Sequence, residues 1–133
     1  MARLYMIRHG KPAAVWGGDD DDPGLDETGR SQALAADDRA PWLRKSFAGT
    51  WAEIEGDLDY DAWRHAITAS LAARGHTAVF SHYVATNAVV SQLLGDPRVL
   101  AFRPDHASIT VLETDGAVLT LVEKGREAVT AVL

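Results

Sequence analysis

The chain has 133 residues, enough for one domain with a real core, a formal net charge of −6 and no cysteine. The lack of cysteine excludes disulfides, thiolate catalysis and cysteine zinc sites. The acidic balance argues against nucleic acid as a partner, which needs a basic surface to displace counterions, but leaves room for a small anionic ligand in a local cationic pocket.

The N-terminal apolar run is too short for a signal peptide, and no run approaches the length of a membrane span. The expectation is therefore a cytoplasmic protein with no membrane partner. Leu4-Tyr5-Met6-Ile7 suits a short strand buried on both faces, stopping at Arg8-His9-Gly10. Residues 11–27, with Pro12, Gly17-Gly18, the run Asp19–Asp22 and Pro23-Gly24, read as a loop. Thr28 can cap a helix over about residues 29–38. Pro41 breaks that helix, and Trp42, Leu43, Phe47 and Trp51 follow without a clean period.

Asp57 or Asp59 then caps a second helix. Tyr60, Trp63, Ile67 and Leu71 fall on one face of its 3.6-residue period, and Gly75 closes it. Thr77-Ala78-Val79-Phe80 predicts another buried strand, ending at Ser81-His82. An apolar helix over about 84–94 follows, closed by Gly95. Val99-Leu100-Ala101-Phe102 predicts a third strand. The stretches 108–113 and 117–122 flank Asp115-Gly116, a hairpin signal. The expected fold class is α/β, one domain over residues 1–133. It is a three-layer sandwich with a mostly parallel central sheet flanked by helices, an antiparallel edge and a C-terminal hairpin.

His9 and His82 each follow a predicted buried strand. Ligands of open α/β sheets bind beyond the carboxyl ends of the strands, so adjacent strands would bring both imidazoles into one crevice. His82 also precedes a helix, whose free N–H groups and positive dipole end favour an anion. Arg8 adds a permanent cation shaped for phosphate. Two imidazoles, a guanidinium and a helix N-terminus are what phosphoryl transfer needs. A neutral imidazole attacks phosphorus while the cations stabilise its equatorial oxygens.

The run Leu4-Tyr5-Met6-Ile7-Arg8-His9-Gly10-Lys11 resembles the strand-plus-RHG signature of the histidine phosphatase superfamily, which includes the phosphoglycerate mutases. Residues 24–33 resemble its LTxxGxxQA segment. Val79-Phe80-Ser81-His82 with the apolar helix behind it resembles the second-histidine segment. Ala107-Ser108-Ile109-Thr110-Val111-Leu112 resembles a strand near the family's end. The resemblance implies a phosphomonoester hydrolase acting on a small phosphorylated substrate. His9 would become phosphohistidine; Arg8, His82 and the Tyr83 N–H would hold the phosphoryl group. No cofactor or metal is implied.

The chain departs from the family in one place. The strand and Ser-Pro-x-x-Arg-Ala-x-x-Thr segment expected in its middle, which supply a second arginine, have no counterpart between Ala36 and Arg44. Pro41-Trp42-Leu43-Arg44 keeps the Pro-x-x-Arg spacing, so Arg44 is the candidate replacement. Glu53 and Glu55 are the candidate general acids. A missing central strand would expose a sheet edge, and a second copy could fill it to make a homodimer. His106, just before a predicted strand, is a candidate to line the pocket, whereas His65 and His76 read as surface or loop residues. The rival reading is a relative that kept the anion pocket as a binding or interaction module and lost turnover.

Overall fold

The computed structural model describes residues 1–10 and 41–129. The expected Asp19–Asp22 loop and the helix after Thr28 lie outside them. Among the described residues there are four strands: β1 (Ala2–Arg8), β2 (Thr77–Ser81), β3 (Ile109–Thr114) and β4 (Leu119–Glu123). Residues 41–48 are helical, here α1. Two further helices are α2 (Tyr60–Ala72) and α3 (Tyr83–Leu94), and Trp51–Glu53 make a 3-10 turn.

The elements end where local chemistry tells them to. Asp59, the second of the two expected caps, accepts the Ala62 N–H at 2.9 Å and starts α2. Gly95, at φ 67°, turns the chain out of α3, and the N–H groups of Gly95 and Asp96 close back onto Gln92 and Ser91. The Asp115 carboxylate accepts the N–H groups of Ala117 and Val118, which shapes the β3–β4 turn.

The expected α/β architecture is the observed one, with a mixed sheet of order β2-β1-β3-β4. β1 and β2 run parallel; β1–β3 and β3–β4 run antiparallel, the latter as the C-terminal hairpin. Leu4, Met6 and Leu112 point from one sheet face into a core completed by Leu71, Ala72 and Val89 of α2 and α3. Each such fully buried aliphatic side chain is worth roughly 1.5–3 kcal/mol. A second cluster lies on the other side of α3, where Ala88 meets Trp51 and Val99. This helix is buried on most sides, Thr86, Asn87 and Ser91 included, because it is covered on two sides.

Three local expectations are corrected. β1 is not buried on both faces: Leu4, Met6 and Arg8 are buried, while Tyr5 on the opposite face is 39% exposed. Residues 41–48 form a helix although their apolar side chains are too few to show a period. Trp42, Leu43, Ser46 and Phe47 share one helical face toward the Trp51 cluster, where Trp42 meets Tyr60 at 5.8 Å between ring centroids. Val99–Phe102 is not a strand. The Val99 N–H bonds to Gly49 O only as part of an isolated antiparallel bridge between Thr50 and Arg98, and the Phe102 N–H goes to Asn87 Oδ1, so no ladder extends through the run.

Among the described residues β2 is a sheet edge, with Phe80 74% exposed on it. No described helix is long and apolar enough to cross a membrane.

Candidate functional site

Register builds the site. Arg8 pairs with Ser81 at the end of the parallel β1–β2 ladder, and the next residue on each strand is a histidine. The His9 N–H still bonds to Ser81 O at 3.0 Å, so the two chains leave the sheet side by side. The His9 and His82 rings consequently lie 5.2 Å apart between centroids, at 66°. His9 Nδ1 is 2.9 Å from Gly10 O. That contact suits a proton on Nδ1 and leaves the Nε2 lone pair for attack.

His82 is the N-cap residue of α3, but its side chain makes no capping bond. Its carbonyl instead accepts both the amide and the hydroxyl of Thr86. The imidazole therefore stands at the positive end of a twelve-residue helix, whose first-turn N–H groups, Tyr83 among them, are oriented for an anion.

Arg8 shares the inward face of β1 with Leu4 and Met6 and is 6% exposed. One guanidinium nitrogen donates to Pro104 O at 2.8 Å, and the group lies 4.9 Å over the Tyr83 ring. Its Nε has no partner among the described residues, and no described carboxylate pairs with it. A buried cation without a counter-ion is costly unless an anion arrives. Burial raises the Tyr83 phenol above its usual range, against the pull of Arg103 and Arg8, so the hydroxyl stays neutral.

A third imidazole joins the first two. β3 runs antiparallel to β1, so the residues just before β3 lie at the same sheet edge as His9. The Arg8 N–H bonds to Ser108 O at 3.1 Å and the Ala107 N–H to His9 O at 3.4 Å. Ser108 N–H closes a turn onto Asp105 O, and Ala107 adopts φ 58°. That left-handed conformation costs a non-glycine residue ~1–2 kcal/mol. The His106 ring lies 6.4 Å from that of His9, at 69°. Asp105 Oδ1 accepts the His106 backbone N–H at 2.8 Å and is 3.9 Å from the ring Nδ1. Arg126, bonded to the other carboxylate oxygen at 3.0 Å, holds Asp105 below the ordinary carboxylate range, with the His106 N–H adding to it.

The remaining predicted site residues have other surroundings. Arg44 is exposed on α1. Glu53 accepts from the Thr50 N–H and hydroxyl and so caps the 3-10 turn. Glu55 is exposed and paired with Lys45 at 2.8 Å, whose hydrogen bond lowers its pKa. His65 lies exposed on α2 beside Asp61, and His76 accepts the Arg3 N–H. Asp105 and the Pro104 carbonyl were not singled out from sequence; only their place beside His106 hinted at them. An apolar cavity of about 290 Å³ opens among Trp42, Phe47, Trp51, Tyr60, Trp63 and Val84. Val84 stands two residues past His82, in the first turn of α3.

No protein-family model and no curated protein matches the chain. Solved structures do match. The native mycobacterial glucosyl-3-phosphoglycerate phosphatase Rv2419c superimposes with a TM-score of 0.52 at 18% identity, covering 96% of this chain and 100% of that one. The same phosphatase with VO3 gives 0.51 at 18% identity, covering 93% and 98%. At that identity the likeness is one of architecture, and the chain has the α/β fold of this phosphatase.

Proposed function

We propose that the chain is a phosphomonoester hydrolase of the histidine phosphatase superfamily, acting through phospho-His9 on a small phosphorylated substrate. The observation that carries the reading is the His9–His82 pair at 5.2 Å, set over the α3 N-terminus beside buried Arg8, which no described carboxylate neutralises. In this reading the substrate phosphoryl group supplies the missing negative charge. His9 Nε2 attacks phosphorus and the alcohol leaves. Water then attacks phospho-His9 and inorganic phosphate departs. Arg8, His82 and the Tyr83 N–H hold the phosphoryl oxygens through both steps. The fold shared with a phosphatase supports the same class of reaction. Exposed Arg44 and the locally engaged Glu53 and Glu55 receive no further support from their surroundings.

The test is steady-state hydrolysis of p-nitrophenyl phosphate between pH 5 and 7.5, comparing the wild type with His9→Ala. His9 is exposed, so the variant should fold normally. Activity in the wild type that falls to background in the variant is expected. Equal rates in two folded proteins would overturn the reading.

A further inference from the structure

We propose that His106 is the general acid and base of this site, with Asp105 orienting its imidazole. The inference rests on the hydrolase reading above and assigns the proton transfers that reading leaves open.

Three observations carry it. First, the His106 ring is 6.4 Å from the His9 ring, on the same sheet edge. An in-line attack puts phosphorus about 3–3.5 Å from the attacking nitrogen, with the leaving oxygen beyond it. An imidazole at this separation can reach that oxygen with one ring nitrogen. Second, His106 has a carboxylate beside it, Asp105 at 3.9 Å, and none is recorded beside His9 or His82 among the described residues. Arg126 keeps that carboxylate ionised, and an ionised neighbour favours the protonated imidazole an acid must be. Third, the backbone turn that carries the ring is held from both sides. Ser108 and Asp105 close its turn, and the Ala107 N–H ties that turn to His9 O. The Arg126 guanidinium reaches the His106 carbonyl at 3.2 Å.

The steps balance. As the bond from His9 Nε2 to phosphorus forms and the phosphorus–oxygen bond breaks, protonated His106 gives a ring proton to the leaving oxygen, which departs as an alcohol. Neutral His106 then takes a proton from the water that attacks phospho-His9. Phosphate leaves, and both histidines return to their starting states.

The test is kcat/KM of the wild type and His106→Asn on p-nitrophenyl phosphate, phenyl phosphate and an alkyl phosphate. This parameter reports the steps up to phospho-His9 formation. A poor leaving group needs its proton and a good one does not. The variant should lose about 10²–10⁴-fold on the alkyl phosphate and far less on p-nitrophenyl phosphate. Asp105→Asn should show the same slope more weakly. A loss equal on all three substrates, as a merely structural role would give, overturns the assignment while leaving the hydrolase reading intact. So does an undiminished rate on the alkyl phosphate. A wild type inactive on all three overturns both.

Discussion

Asn87 is 0% exposed in the middle of α3 and joins that helix to the irregular segment leading to the site. Its Oδ1 accepts the Phe102 N–H at 3.0 Å and its Nδ2 donates to Tyr83 O at 3.1 Å. Asn87→Ala removes the acceptor and leaves a buried backbone donor unpaired, since Phe102 is itself buried. An unsatisfied buried group costs about 1–3 kcal/mol. The space left by the missing amide adds ~1 kcal/mol of lost packing. Alanine's better helix propensity returns roughly 0.5 kcal/mol. Tyr83 O keeps its helical partner and adds little. The net expectation is a loss of about 1.5–3.5 kcal/mol. Urea unfolding followed by tryptophan emission measures it, because Trp51 is buried in the adjoining cluster. With a slope of about 1–3 kcal/mol/M, the midpoint should fall by about 0.5 M or more at unchanged slope. The segment Asn87 holds continues to Pro104 and His106, so hydrolysis should also weaken below the melting range. A loss under about 0.5 kcal/mol would refute the reasoning, because the Phe102 N–H would then be satisfied without Asn87.

Asp96 tests the charge balance behind α3. The Arg98 side chain, and then its backbone N–H, lower its pKa to about 2. The folded value lies below the unfolded one, so this stabilisation is full above about pH 4 and disappears as pH falls through about 2. Asp96→Asn should therefore cost about 0.5–1 kcal/mol at pH 7, modest because Arg98 is exposed. Thermal melts should converge near pH 2; a gap that persists there would rule out the pair as its source. Gly95→Ala meets nothing within 4 Å, so only the φ of 67° opposes it. Calorimetry should show a loss of about 1–2 kcal/mol, and an unchanged melting temperature would mean the helix end relaxes without cost.

Signals written in neighbouring residues were legible from the chain alone. Asp59 as a cap, Gly95 as a helix end and Asp115-Gly116 as a turn act through their own side chains or backbone freedom, so their effect survives any tertiary setting. The short apolar runs ending at His9 and His82 marked two strands for the same reason. Whether such a run becomes a strand is another matter. Val99–Phe102 is as apolar as β2, but a strand exists only where a partner offers a ladder, and here the pairing stops at the single bridge between Thr50 and Arg98 while Asn87 takes the Phe102 N–H. Residues 41–48 hid their helix because two turns carry only Trp42, Leu43 and Phe47 as apolar markers, too few to set a period until the one cavity they line is seen.

The site divides along the same line. Sequence by itself determined that His9 and His82 stand at strand ends and that Arg8 accompanies them. Tertiary structure alone decided that β1 and β2 are adjacent, with Arg8 opposite Ser81, which turns two separate histidines into a pair. It also decided that β3 runs antiparallel to β1, bringing the start of one strand to the end of the other and His106 to His9. Pairings between residues so far apart in the chain, such as Leu4 with Thr77 and with Leu112, leave no local trace. They are settled by which buried faces fit one another, and that is a property of the folded chain.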